Sequence, residues 1–367
     1  MKKFTIKFLL TLLPLFVLVS FFKFYVNPRI TGDLGRLGYI PFGKEYVEYI
    51  SSLAMDGSYV EQFVAKSDKK YKVLTIGDSF SSFGADGYQN YAGKYLNDTL
   101  LNLKIYNGAD MVSPEQIAIK LLNNGFYERQ GIKVVVVESV ERHFISRASN
   151  LNFTSNVKTD SIPLLYAFKG DPRFIYPMQK NVIKPKTNIF NRIISLYKDS
   201  GFCKNSLEGS FSWVRLSCGF DNPICHAKLN GKYFTDDFRD DDLYFYKQDL
   251  KFVDYTDTQI NLAKSNIKKI KDLFDSKHIK FIYFVPTDKY HAYQDYIVSN
   301  PYPRNNLLDK FNEFSNKDYF FYPKQVIDSL IKKGVKDVYK LNDTHWTAKA
   351  SDVVGLELAR RIKLINP

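Results

Sequence analysis

The sequence predicts an α/β fold on a mostly parallel sheet, preceded by an N-terminal transmembrane helix. Three observations carry that expectation. Apolar runs of strand length stop abruptly in small or acidic residues, as in "YKVLTIGDSFSSFG" (71–84). Between such runs lie stretches of helical periodicity with recognisable caps. The chain also begins with a long apolar segment. Alternation of strands and helices builds an open sheet with helices on both faces.

The apolar segment comes first. Lys2, Lys3 and Lys7 precede "FLLTLLPLFVLVSFF" (8–22), and apolar character continues to Val26. A span of roughly 20 apolar residues crosses a bilayer, and positive charge ahead of it keeps the N-terminus in the cytoplasm. A cleaved signal peptide needs small residues at its cleavage point, and "VLVSFFKFYV" offers only Ser20. Residues 1–26 are therefore expected to be an uncleaved anchor in the cytoplasmic membrane. A connecting region, 27–70, follows; its "TGDLGRLGYIPFG" is turn-rich and is expected to lie over the domain.

The expected globular domain spans 71–367. Lys72–Ile76 reads as the first strand, Gln89–Leu101 as a helix and "LKIYN" (103–107) as the second strand. Ser113 is a good N-cap, with Pro114 at the first helical position and Glu115 suited to the positive helix end. Gly125 interrupts that helix. "KVVVVE" (133–138) is a continuous β-branched run, as a buried parallel strand should be. The alternation breaks between about Phe144 and Tyr255, which reads as an inserted cap. It resumes with a helix capped by Thr256 or Asp257 and running to about Ser276. The strand "KFIYFVP" (280–286), a mixed segment to Gly334, a short last strand "DVYKL" (337–341) and a closing helix from Thr347 complete the chain.

Composition narrows the class. The chain has 367 residues, 45% of them apolar, which excludes a disordered protein. The net charge is +13, but the basic residues are dispersed and accompany no nucleic-acid-binding signature, so no nucleic-acid partner is expected. A positive field would suit anionic lipids or an acidic glycan; an ordinary solvated basic surface is the plainer reading. Cys203, Cys218 and Cys225 cluster in the insertion, and one disulfide among them fits an oxidising compartment. Only His226 stands near them, in no zinc spacing. Without a Gly-rich phosphate loop either, the sequence implies no metal and no cofactor.

Ligands in such sheets sit at the carboxyl ends of the strands. Ser79 follows the first strand, Gly108 the second, and Glu138 ends the third. Asp343 and His345 follow the last, so all five are expected at one edge. Serine needs a base to become a nucleophile. His345 is the candidate base, with Asp343 two residues before it to orient the imidazole and Asn342 as the alternative partner. The competing reading makes Asp343 a cap of the closing helix, with His345 packed beneath it. Asp78 is expected to stabilise the serine loop. Arg142, Lys289 and Tyr293 are candidates for substrate contact, with a structural Arg142–carboxylate pair and a surface role for Lys289 and Tyr293 as the alternatives.

"IGDSF" followed much later by "DTHW" resembles the SGNH/GDSL hydrolase superfamily. "VVVVESVERHF", "LYFYKQDL", "YFVPTDKYHAYQDY" and "KDVYKLNDTHWT" are similar to segments of its membrane-anchored acetyltransferases related to alginate O-acetylation proteins. The resemblance spans about 71–367. It implies a three-layer sandwich, with Ser79 as acyl-carrying nucleophile, His345 as base and Asp343 as its orienter. The backbone N–H groups of Ser79 and Gly108 would form the oxyanion hole. It further implies a bacterial periplasmic or extracellular O-acetyltransferase acting on a polysaccharide. A membrane-bound O-acyltransferase would supply the acetyl groups. An esterase of the same fold, or a non-catalytic glycan-binding subunit, are the alternatives. The superfamily's third block supplies an Asn, but here that strand runs into Glu138-Ser139-Val140-Glu141-Arg142.

Overall fold

Val134 to Val137 have no exposed surface, because both faces of their strand are covered. They belong to a computed structural model that describes residues 13–14, 17, 33–36, 59–62, 69–82, 86–105, 113–156, 223–235 and 239–365. In chain order its strands are β1 (Val60–Gln62), β2 (Val73–Gly77), β3 (Leu100–Lys104) and β4 (Val134–Glu138), then β5 (Ile224–Lys228), β6 (Asp242–Tyr246), β7 (Lys280–Phe284) and β8 (Phe320–Phe321). Six of them form one sheet in the order β1-β3-β2-β4-β7-β8, with every pairing parallel. β5 and β6 form a separate antiparallel hairpin.

Side chains alternate across the sheet with period two. Val73, Val134, Val136, Ile282 and Phe284 enter one core, whereas Leu74, Ile76, Val135, Val137, Phe281 and Tyr283 enter the other. The described helices are α1 (Asp33–Arg36), α2 (Tyr88–Leu96), α3 (Pro114–Asn123), α4 (Phe126–Gln130), α5 (Glu141–Ala148), α6 (Asp257–Asp275), α7 (Lys289–Tyr293), α8 (Lys324–Lys332) and α9 (Ala348–Ile365). α2, α8 and α9 cover the first face; α3, α5 and α6 cover the second. The α/β expectation with a parallel sheet therefore stands.

Several boundaries follow from local chemistry as expected. The Ser113 hydroxyl accepts from Gln116 N–H at 3.1 Å, with Pro114 opening α3. Gly125, at φ 72°, separates α3 from α4 in a conformation that favours glycine. Thr256 and Gln259 form a reciprocal capping box that starts α6.

Other expectations are corrected. α2 ends at Leu96 because Asn97 turns left-handed at φ 52°, so β3 begins at Leu100 rather than Leu103. "DVYKL" is not a sheet strand. Asp337 is left-handed at φ 57°, and the segment pairs instead with the chain returning towards α9. Lys340 N–H donates to His345 O (3.1 Å) and Thr347 N–H to Val338 O (3.0 Å). The sheet's last strand is Phe320–Phe321, within the segment read as mixed. The insertion begins later than Phe144, which sits in α5 and fills the core beside Ile145 and Ala148. Its described part, 223–235 and 239–255, is no detached cap, for Ile224, Leu229, Phe234, Leu243 and Phe245 share the core of the first face.

The connecting region contributes to the fold itself. β1 adds an edge strand beside β3, and Leu34 of α1 is fully buried in the first-face core. The expected anchor, 1–26, lies outside the described residues apart from Leu13, Pro14 and Val17. No described helix is long and apolar enough to cross a membrane. Cys203 and Cys218 also lie outside the described residues; Cys225 is on β5.

Candidate active site

After β3 the chain crosses over β2 to form β4 on its other side. Such a switch point opens a crevice at the carboxyl ends of the two strands. Gly77-Asp78-Ser79 leaves β2 there, and Glu138 ends β4. The chain then tightens into a 3₁₀ turn, Ser79–Ser82. Asp78, Phe80 and Ser81 are buried while Ser79 is partly exposed.

The turn rests on a buried carboxyl pair. Glu138 Oε2 accepts from Asp78 N–H (3.0 Å) and from the Ser81 hydroxyl (2.8 Å). Asp78 Oδ2 accepts from Arg147 (2.7 Å) and from Val140 N–H (3.3 Å). Asp78 Oδ1 and Glu138 Oε1 are buried and accept from no donor of the chain among the described residues. Burial, then the neighbouring Asp78 charge, holds the Glu138 carboxyl well above the usual carboxylate range. Burial also opposes ionisation of Asp78, but Arg147 and the Glu138 hydrogen bond outweigh it and hold Asp78 below that range. The close fit explains Gly77: a Cβ there would lie 2.0 Å from Ser81 Oγ and 2.2 Å from Glu138 Oε2. Asn102 of β3 fixes the turn's far end, donating to Ser81 O (2.9 Å) while accepting from Thr75 Oγ1 (2.7 Å).

The second half of the site is the loop from 337 to 347. His345 Nδ1 lies 2.5 Å from Asp343 Oδ1, which also accepts the His345 backbone N–H at 3.0 Å. The two-residue spacing permits this because the carboxylate folds back over its own turn, as Asp side chains do. Burial works against the Asp343 charge, yet the adjacent imidazole and N–H donors hold its carboxyl below the usual range. Asp343 is thus an acceptor, and Nδ1 carries the hydrogen. Phe80, the residue after Ser79, packs edge-on against both His345 and Trp346 with centroids 4.6 Å apart. That ring sets the imidazole beside the serine turn. Asn342, the alternative partner, offers its backbone carbonyl to Leu34 (3.1 Å).

A third carboxylate joins them. Asp33 Oδ1 accepts from Thr344 N–H (2.8 Å), Asp33 N–H donates to Asp343 Oδ2 (3.2 Å), and Asp33 Oδ2 lies 3.7 Å from His345 Nδ1. Burial and the Asp343 charge raise the Asp33 carboxyl to about 6. The three side chains bring possible metal-ligating atoms within 4.8 Å of one another. Their oxygens, however, are engaged by backbone N–H groups and the imidazole, which fits a braced base better than a cation cage.

Lys289 is buried rather than displayed to substrate. Its ammonium donates to the carbonyls of Lys340 (2.6 Å), Leu341 (2.9 Å) and Asp343 (3.1 Å), clasping the loop, and burial lowers it to about 7. Tyr293 is also fully buried, so neither residue presents a surface for binding. Arg142 takes the structural alternative, 2.6 Å from Asp288 and 3.6 Å from Asp249. Gly108 lies outside the described residues.

Asp33, Asn102 and the part Glu138 plays in holding the serine turn went unrecognised in the sequence. Asn102 had a signal, a lone amide inside the apolar run "LLNLK"; Asp33 had none. Comparison with family models, with curated proteins and with solved structures returns no match for this chain.

Proposed function

We propose that this protein is an extracytoplasmic O-acetyltransferase of the SGNH type, with the sheet and helices forming that superfamily's three-layer sandwich. The observation that carries the reading is the Asp343–His345 pair at 2.5 Å, packed through Phe80 against the turn that holds the partly exposed Ser79.

Ser79 Oγ attacks the carbonyl carbon of an acetyl donor as His345 Nε2 takes the hydroxyl proton. Asp343 holds the Nδ1–H and supports the imidazolium. By the family resemblance, the backbone N–H groups of Ser79 and Gly108 would supply the donors for the oxygen that becomes negative. Collapse expels the donor's leaving group, which takes the proton from His345, and leaves acetyl-Ser79. A glycan hydroxyl then attacks that ester, giving its proton to His345, and Ser79 is released with its own proton restored. No cofactor enters this cycle. The donor is a membrane-bound O-acyltransferase partner, the acceptor a cell-surface or secreted polysaccharide. Residues 1–26 tether the domain to the bacterial cytoplasmic membrane.

The test gives wild type and Ser79→Ala an activated acetyl ester, with and without oligosaccharides, and follows protein and products by mass spectrometry. Ser79-dependent acetyl-sugar in excess of acetate is the expected result. Ser79-dependent acetate alone, across a panel of acceptors, would reassign the protein as an esterase. A folded wild type that never acylates would point to a non-catalytic glycan-binding subunit.

A further inference from the structure

We infer that Asp33, from the segment just behind the N-terminal apolar run, is a positioning residue for the catalytic base, so that the site is complete only with this segment docked. The inference rests on the acyl-transfer reading and extends it to a residue from the opposite end of the chain.

Four contacts place Asp33. Its side chain accepts the Thr344 N–H, and its own N–H donates to Asp343 Oδ2. Its second oxygen lies 3.7 Å from His345 Nδ1. Next to it, Leu34 is fully buried and donates its N–H to Asn342 O. Together these bind one short segment to three consecutive residues of the catalytic loop, Asn342, Asp343 and Thr344, across more than 300 positions of sequence.

The contacts have chemical content beyond packing. Asp343 Oδ1 is bonded to the imidazole, and its other oxygen is fixed by the Asp33 N–H, so the carboxylate cannot rotate away. The Asp33 carboxylate adds a second negative charge beside the nitrogen that becomes cationic. An imidazolium formed during catalysis is therefore flanked by two acids, and electrostatic support of that kind lowers the barrier. The charged and titratable groups facing Asp33 come from several elements. They are Asp343 and His345 on the loop, Arg142 on α5, Tyr246 and Asp249 at the end of the hairpin and beyond it, and Lys289 on α7. Asp33 is ionised above about pH 6 and neutral below it, so its support of the base should switch on across that range.

The experiment uses the full chain in detergent micelles: wild type, Asp33→Asn, Asp33→Glu and Ser79→Ala. It measures the rate of Ser79 acylation by an activated acetyl ester from pH 5 to pH 8, with thermal melting to confirm folding. Above pH 7, Asp33→Asn should acylate about tenfold more slowly than wild type, one unit of charge interaction. The two rates should converge near pH 5, where wild-type Asp33 is itself neutral. Asp33→Glu should recover part of the rate at high pH. A purely structural role would give a deficit independent of pH and no recovery by Glu. Equal rates for wild type and Asp33→Asn throughout, or a pH-independent deficit, would overturn this inference and leave the acyl-transfer reading intact. No Ser79-dependent acylation in wild type would sink that reading, and this inference with it.

Discussion

Two carboxyl pairs flank the Ser79 turn and settle the same electrostatic conflict in different ways. On the strand side, Asp78 and Glu138 are both buried; the Glu138 carboxyl is held well above its ordinary range and Arg147 stands against Asp78. On the loop side, Asp33 and Asp343 share an imidazole, and their oxygens are occupied by backbone N–H groups. Burial favours the protonated form of the first pair's Glu138, which suits it to hold a turn in place. The second pair surrounds the imidazole that gains and loses a proton in the proposed reaction. Like charges in a dry site are tolerated only when a proton or a cation compensates them, and the location of that compensation separates scaffold from chemistry.

The loop side should break most severely in function. Asp343→Asn replaces an acceptor with an amide that no longer fixes the Nδ1 hydrogen. Ser79 acylation should fall by about 10³-fold while the melting temperature changes little. Rapid-quench acylation with intact-protein mass spectrometry measures this, and a loss below tenfold would remove Asp343 from its role. The strand side should break in stability. Gly77→Ala forces a methyl against Ser81 Oγ and Glu138 Oε2, both buried, and should cost about 3 kcal/mol by chemical denaturation. A cost below about 0.5 kcal/mol would mean that the carboxyl pair can move aside.

The legibility of these two sides in the sequence was unequal. Ser79, Asp343 and His345 stood out because each follows an apolar run or a turn at the edge where a parallel sheet collects its loops. The central strands were legible for the same reason, since a strand buried on both faces reads as an unbroken apolar run. "DVYKL" misled because its alternating apolar residues suit a strand, and only the left-handed Asp337 sends its backbone to the return loop instead of the sheet. Asp33 could not be read at all. Its partners are 310 and 311 positions away, and nothing in "TGDLGRLG" announces a half-buried acid. Glu138 could be placed at the edge, but its proton depends on a neighbour that only folding supplies.

The pH-dependent effect sharpens the contrast most. Glu138 is raised above its ordinary value in the folded chain, so between about pH 4.5 and its folded pKa the native state holds a proton that the unfolded state releases. Its contribution to stability therefore declines as pH rises through that window, by at most about 1.4 kcal/mol per unit. Gln is neutral and of the same shape, accepting from Ser81 and Asp78 N–H while donating to the Asp78 carboxylate. Glu138→Gln should match wild type near pH 4.5 and become the more stable protein by pH 8 in parallel urea titrations. A variant less stable than wild type at pH 8 would show that Glu138 is ionised.

The contact between Asp33 and the catalytic loop also sets a distance. Seven positions separate Val26 from Asp33, and an extended chain covers at most about 3.6 Å per residue. With residues 1–26 as the anchor, the catalytic loop sits on a leash no longer than about 25 Å from the membrane face. Under the proposed function, the domain would then work in a thin layer over the bilayer, within reach of a membrane-embedded acetyl source and of glycan only as it passes through that layer.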